Sequence, residues 1–191
     1  VPLKDGRVDF DVAKEKITTK TKMVVIQRSC GYMMRPSLSV DEIGEICKFV
    51  KEINPNCICY VDNCYGEFTD TKEPIEVGAD IIAGSLIKNP GGGIAPTGGY
   101  IVGRKDLVEL ASYRMTSPGM GAELGASLAN NRLLFQGLFL APHVVAQAVK
   151  SAIFAAAFFD LLGFKTLPAP DTKRNDIIQA IEMGSKEKLV A

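Results

Sequence analysis

Residues 58–103 read ICYVDNCYGEFTDTKEPIEVGADIIAGSLIKNPGGGIAPTGGYIVG, and they decide the fold. Cys57 to Asp62 and Ala79 to Ala83 are apolar runs of strand length with no alternating polar face, the pattern of strands buried on both sides in a parallel sheet. The connection between them, punctuated by Pro74 and Gly78, is long enough to be a crossover. Gly98 to Gly103 (GGYIVG) reads as a further strand, and only the short Gly/Pro-rich loop 89–97 separates it from Lys88. No crossover helix fits there, so this strand is expected to run antiparallel to its neighbour.

Upstream, Asp9 to Thr19 reads as a short amphipathic helix feeding a strand over Met23 to Arg28. Ser39-Val40-Asp41-Glu42 has capping-box spacing and opens a helix to about Ile53. Downstream, Lys105 to Arg114, Ala122 to Gly137 and Pro142 to Leu162 are predicted helices. Phe164 to Leu167 and a helix after Asn175 open a smaller unit. Apolar strands joined by helices give an α/β fold with a mostly parallel sheet covered on both faces.

Composition narrows the function. The 22 acidic and 22 basic residues give a formal net charge of zero with no basic run, which argues against nucleic acid or an anionic membrane surface as partner and favours a small molecule. Five cysteines are an odd number without framework spacing, and the single histidine, His143, lies far from them. Paired Cys/His spacing is absent, so no metal is expected, and the thiols read as reduced, which makes cytoplasmic the default location. The apolar stretch Leu133 to Phe164 is interrupted by Pro142, His143, Gln147, Lys150 and Asp160, so a buried or interface helix is expected there, not a membrane span. The chain begins Val1-Pro2 and stops within a helical pattern, so it is expected to be a piece of a longer protein.

In open α/β sheets ligands bind beyond the carboxyl ends of the strands, which is where Arg28, Asp62 and Lys88 fall. A lysine and a carboxylate at such strand ends are what pyridoxal phosphate chemistry requires: the amine forms a Schiff base, and the carboxylate keeps the ring nitrogen protonated. To attack an aldehyde the amine must be partly neutral, and burial or a nearby cation would lower its pKa. Read without that context, Lys88 is a solvated loop lysine and Asp62 a turn former. Gly91, Gly92, Gly93, Gly98 and Gly99 shape the lysine loop. They are not a nucleotide fingerprint, because the strand-then-helix setting of G-x-G-x-x-G is missing. Cys64 reads as either a reactive thiol or an inert one, and His143 as structural.

With V-D-N-C-Y-G (61–66) and S-L-I-K-N-P-G-G-G (85–93) in view, the chain resembles the fold-type I pyridoxal phosphate enzymes, specifically the carbon–sulfur lyases of the cystathionine and methionine gamma-lyase group. I-Q-R-S-C-G-Y-M-M-R-P-S-L (26–38) and T-S-P-G-M-G (116–121) resemble the bacterial aluminium resistance family of that group. The resemblance implies a three-layer α/β/α sandwich, with residues 1–165 as the central part of the cofactor-binding large domain and 166–191 as the beginning of a small C-terminal α+β domain. It makes Lys88 the catalytic Schiff-base lysine, Asp62 the partner of the pyridinium nitrogen and Ser85 a donor to the phosphate. The alternative for Ser85 is a strand-end serine bonding its own backbone. Tyr65 resembles the D-x-x-Y tyrosine of the aminotransferase branch, which contacts the ring's 3-oxygen. Arg28, with Tyr32 and Arg35, would bind a substrate carboxylate, tie subunits together or serve in structural ion pairs. The implied activity is cleavage of a carbon–sulfur bond in an amino acid of the cystathionine, cysteine or methionine type, by a homodimer or homotetramer with no membrane or nucleic-acid partner. An aminotransferase or aldolase on the same fold, or a cofactor-binding stress protein with little catalysis, are the alternatives.

Overall fold

A computed structural model describes every residue except 116, 117, 124, 126–128 and 191. Strands β1 (Leu3–Lys4) and β2 (Arg7–Val8) form a hairpin whose turn residues Asp5 and Gly6 have φ of 52° and 75°. That is the left-handed two-residue turn that suits strand twist. Helix α1 (Phe10–Lys16) follows, with the Asp9 carboxylate accepting the backbone N–H groups of Asp11 and Val12.

The central sheet contains β3 (Met23–Gln27), β4 (Ile58–Asp62), β5 (Ile81–Ser85) and β6 (Gly99–Gly103), in that order. The first three are parallel and β6 is antiparallel to β5, as its short connection requires. In register, Gln27 pairs with Asp62, Asp62 with Ala83, and Ser85 with Gly99, so the carboxyl ends of β3, β4 and β5 share one edge. The crossover helix α2 (Val40–Ile53) starts at the expected capping box, with Ser39 Oγ accepting from Glu42 N–H and the Glu42 carboxylate accepting from Ser39 N–H. Its inner face, Ile43, Ile46, Cys47 and Val50, packs with Ile26, Cys57, Cys59, Val61 and Ile82 of the strands to form the core. All five cysteines are unpaired.

The other face of the sheet is covered only in part. Helix α3 (Lys105–Met115) packs beside β6. On the edge strand β3, Val25 is 64% exposed. The mixed α/β architecture thus has α2 packed on the sheet core, and the expected three-layer sandwich is only partly formed.

Two expectations downstream change. Ala122–Gly137 and Pro142–Leu162 are not separate helices: one helix, α4 (Asn131–Leu161), runs through Pro142. Proline removes a single backbone donor, and a 31-residue helix carries enough other bonds to continue past it. Residues 124 and 126–128 of the first predicted helix, and Thr116 and Ser117 of the T-S-P-G-M-G segment, lie outside the described residues. After β7 (Lys165–Leu167), the helix expected beyond Asn175 is replaced by a turn and by β8 (Ala180–Glu182), antiparallel to β7. The Asp176 carboxylate accepts Ile178 N–H, a local side-chain turn that competes with helix formation. Helix α5 (Lys186–Val190) ends the described chain.

Helix α4 is long and apolar enough to cross a membrane by length and composition alone. Its buried seam is Gly137, Ala141, Val145, Ala152 and Ala156, while Phe135, Phe139, Phe154 and Leu161 stand exposed.

Candidate cofactor site at the carboxyl ends of the strands

Asp62 ends β4, and Lys88 lies just beyond β5, where the chain turns into a short 3-10 segment over Asn89–Gly91. Both side chains line one cavity of about 730 Å³, within the range of small-ligand sites. Cys64, Tyr65, Gln27, residues 29–34 and Ile178 to Ala180 line the same cavity. The Lys88 ammonium lies 4.3 Å from the centre of the Tyr65 ring, in cation–π range. Tyr65 has φ of 71°, rare for a side chain of its size. Its carbonyl accepts the N–H of Ile177 at 3.1 Å, so the segment before β8 holds the strained residue in place.

Partial burial alone would lower the Lys88 pKa, but Cys64 and Tyr65 beside the amine outweigh it and hold the pKa above the ordinary value. The lowering expected from a neighbouring cation is therefore corrected: the wall supplies acidic groups, not a second positive charge. Burial, and then Asp62, push the Cys64 thiol up, which keeps it protonated and weakly nucleophilic.

The remaining predicted residues are placed differently. Arg28 is 1% exposed and off the cavity wall; its guanidinium donates to Asn63 Oδ1 at 2.8 Å, Glu73 Oε2 at 3.3 Å and Thr69 Oγ1 at 3.3 Å. Arg35 is also buried, donating to the carbonyls of Gln27, Ser29 and Pro36, so it pins the loop that lines the cavity. Both guanidiniums are thus taken up inside the protein, and neither is presented to a substrate. Tyr32 is on the wall and fully exposed. Ser85 is half-buried, does not line the cavity, and accepts Lys88 N–H through its carbonyl at 3.2 Å.

Sequence reasoning missed the polar cluster behind the site. Tyr100 Oη donates to Glu67 Oε1 at 2.7 Å and accepts from Asn63 Nδ2, which also reaches Glu73. The Glu67 carbonyl accepts from Asn89, the residue after Lys88, so the cluster braces the lysine loop. Burial, only partly offset by the Tyr100 hydrogen bond, pushes the Glu67 carboxyl from 4.5 up to about 7. An acid with a raised folded-state pKa contributes its full stability below about pH 4.5 and loses it as the pH rises through about 7. The loss on full ionisation is about 3 kcal/mol. Glu67→Gln in the polypeptide carrying this chain is expected to flatten the fall in urea midpoint between pH 5 and 8. An unchanged pH slope would show that Glu67 ionises freely in the folded protein.

The donor set fits pyridoxal phosphate at two points: an amine for the aldehyde and a carboxylate for the ring nitrogen, with the Tyr65 phenol close by. For the phosphate the lining offers neutral donors such as Ser29, Gln27 and Tyr32 and, among the described residues, no arginine and no second lysine. Ile178 to Ala180 gave no sequence signal, because they are ordinary side chains brought to the site by a long-range fold.

Comparisons with known proteins give the family. The methionine gamma-lyase family model matches residues 1–191. The uncharacterised protein YnbB of Bacillus subtilis (strain 168) is 56% identical over 188 residues, covering 98% of this chain and 45% of that protein. A solved structure from Listeria monocytogenes is 56% identical with a TM-score of 0.95, covering 99% of this chain and 47% of that one. A carbon–sulfur lyase involved in aluminum resistance from Clostridium novyi NT is 50% identical with a TM-score of 0.93, covering 100% of this chain and 46% of that one. The chain therefore spans about half the length of these relatives. A match along its whole length, on a sheet that gathers Asp62, Tyr65 and Lys88 at one edge, means that the chain belongs to the methionine gamma-lyase family.

Proposed function

We propose that the polypeptide carrying this chain uses pyridoxal 5'-phosphate, held covalently by Lys88, to cleave a carbon–sulfur bond of a sulfur amino acid of the cystathionine, cysteine or methionine type. The observation that carries the reading is the meeting of Lys88, Asp62 and Tyr65 in the lining of one cavity. Bound there, the cofactor would supply an electron sink for the pair left at the substrate's α carbon. Lys88 moves the proton at that carbon, a role worth about 10²- to 10⁴-fold in rate. Asp62 holds the proton on the ring nitrogen, and Tyr65 orients the ring through its phenol. Met33, Met34 and Ile178 give the cavity apolar walls suited to a thioether chain and to excluding water. The family match and the name of the Clostridium novyi relative support sulfur chemistry.

The aspartate-x-x-tyrosine arrangement at Asp62 and Tyr65 favours amino transfer as the second reading. Groups for the phosphate and the substrate carboxylate would come from residues beyond this chain, in a dimer or tetramer that also covers the exposed face of α4. Five unpaired cysteines suit the cytoplasm.

Borohydride reduction with added cofactor, followed by peptide mass spectrometry, tests the reading. A pyridoxyl group is expected on the peptide carrying Lys88 and is expected to vanish in Lys88→Ala. An unlabelled Lys88 in folded wild-type protein refutes it. Release of a keto acid, ammonia and a thiol supports the lyase; transfer of the amino group to a second keto acid favours the transaminase.

A further inference from the structure

The loop that carries Lys88 is held by backbone contacts. Gly91 lies so close to Leu86 that a Cβ there would stand 1.7 Å from the Leu86 carbonyl oxygen, pinching the loop at its base. Within it, Gly91 N–H donates to Lys88 O at 2.9 Å and Gly92 N–H to Asn89 O at 3.2 Å. From outside, α4 presses on the same point. A Cβ on Gly92 would lie 2.3 Å from the Gly137 carbonyl oxygen, and a Cβ on Gly137 would lie 2.3 Å from that of Gly91. Gly92 also has φ of 55°, the left-handed region that glycine enters without strain. Helix and loop thus meet backbone to backbone, and any side chain at 137 would fill the contact.

We propose that Gly137 is a positioning residue for Lys88: its missing side chain lets α4 clamp Gly91 and Gly92 and fixes how far the lysine reaches into the cavity. The inference rests on the reading of Lys88 as the working amine. A methyl group at 137 must push the loop away by about 1 Å, and a misplacement of that size at a reacting group costs on the order of 10²-fold. The packing interior yields little, because close-packed backbone cannot compress.

Competitive acetylation of the cofactor-free polypeptide that carries this chain, read by mass spectrometry across pH, tests the clamp without using turnover. Exposed Lys150 on the same helix is the internal reference. Gly137→Ala is expected to change the Lys88 rate relative to Lys150 by about 10-fold or more and to move its pH midpoint. Leu110→Ala, exposed on α3, is expected to leave both at wild-type values. If Gly137→Ala lowers the urea midpoint while the Lys88 rate and pH midpoint stay put, Gly137 serves packing alone and the proposal is overturned. Should that variant fail to fold, hydrogen exchange of the wild type decides. Amides of Gly91, Gly92 and Ala95 are expected to exchange as slowly as those of residues 137–141, and rapid exchange over 91–95 overturns the clamp. The outcome is separable from the cofactor reading: a wild-type Lys88 that takes no pyridoxyl group removes the lyase proposal, yet acetylation still reports whether Gly137 governs the amine.

Discussion

Replacing Lys88 by alanine is expected to lower turnover of a sulfur amino acid by about 10⁴-fold while leaving the protein folded, a loss of about 5.5 kcal/mol of transition-state stabilisation. Removing an acid/base group alone accounts for about 10² to 10⁴. Loss of the covalent anchor places the expected value at the top of that range. Stability should change little, because the ammonium sits over the Tyr65 ring at 4.3 Å, a contact worth about 0.5–1 kcal/mol near the surface. Thiol release by the full polypeptide under single-turnover conditions measures the loss. A small primary amine such as methylamine, diffusing into the space the side chain leaves, should restore part of the rate. A variant that keeps more than a tenth of wild-type turnover would remove Lys88 from the chemistry.

How far this site was legible in the sequence depends on the range of the interactions behind each residue. The strands ending at Asp62 and Ser85 announced themselves as apolar runs, and the antiparallel β6 followed from a loop too short for any crossover. The Ser39 and Glu42 capping box is likewise local, and it appears with both of its bonds. Local reasoning also misled. Asn175-Asp176 looks like a helix start, yet the Asp176 carboxylate closes a turn onto Ile178 and the chain goes on into β8. Pro142 looks like a helix boundary, but one missing donor does not stop α4. The Lys88 environment was misjudged because its neighbours, Cys64 and Tyr65, come from the adjacent strand end and no arginine joins them.

Arg28 shows the same limit most sharply and gives a second test. From sequence it stood as a substrate-binding arginine, a tie between subunits or a member of an ion pair, and only the fold reveals Asn63, Thr69 and Glu73 around it. Burial lowers its pKa, and the nearby carboxylates, Glu73 first, oppose that fall. A guanidinium stays protonated under such conditions. Gly66 is what lets the backbone lie against it: a Cβ there would fall 2.4 Å from Arg28 Nε. Arg28→Leu leaves the Asn63 oxygen and the Glu73 carboxylate without their cation. Breaking a buried pair from one side costs about 3–5 kcal/mol. Glu73 is 33% exposed and can recover water, so a value of about 3 kcal/mol is expected. Arg28→Lys keeps the charge but not the planar fork that reaches Asn63 and Thr69 together, and it should recover less than half of the loss. Urea denaturation of the polypeptide carrying this chain, compared at equal m-value, reads both variants. A substrate-binding arginine would behave in the opposite way, raising KM at unchanged stability. Because the guanidinium also holds Asn63, the residue after Asp62, at 2.8 Å, the destabilised variants should lose cofactor retention along with stability, through the strand end that carries Asp62.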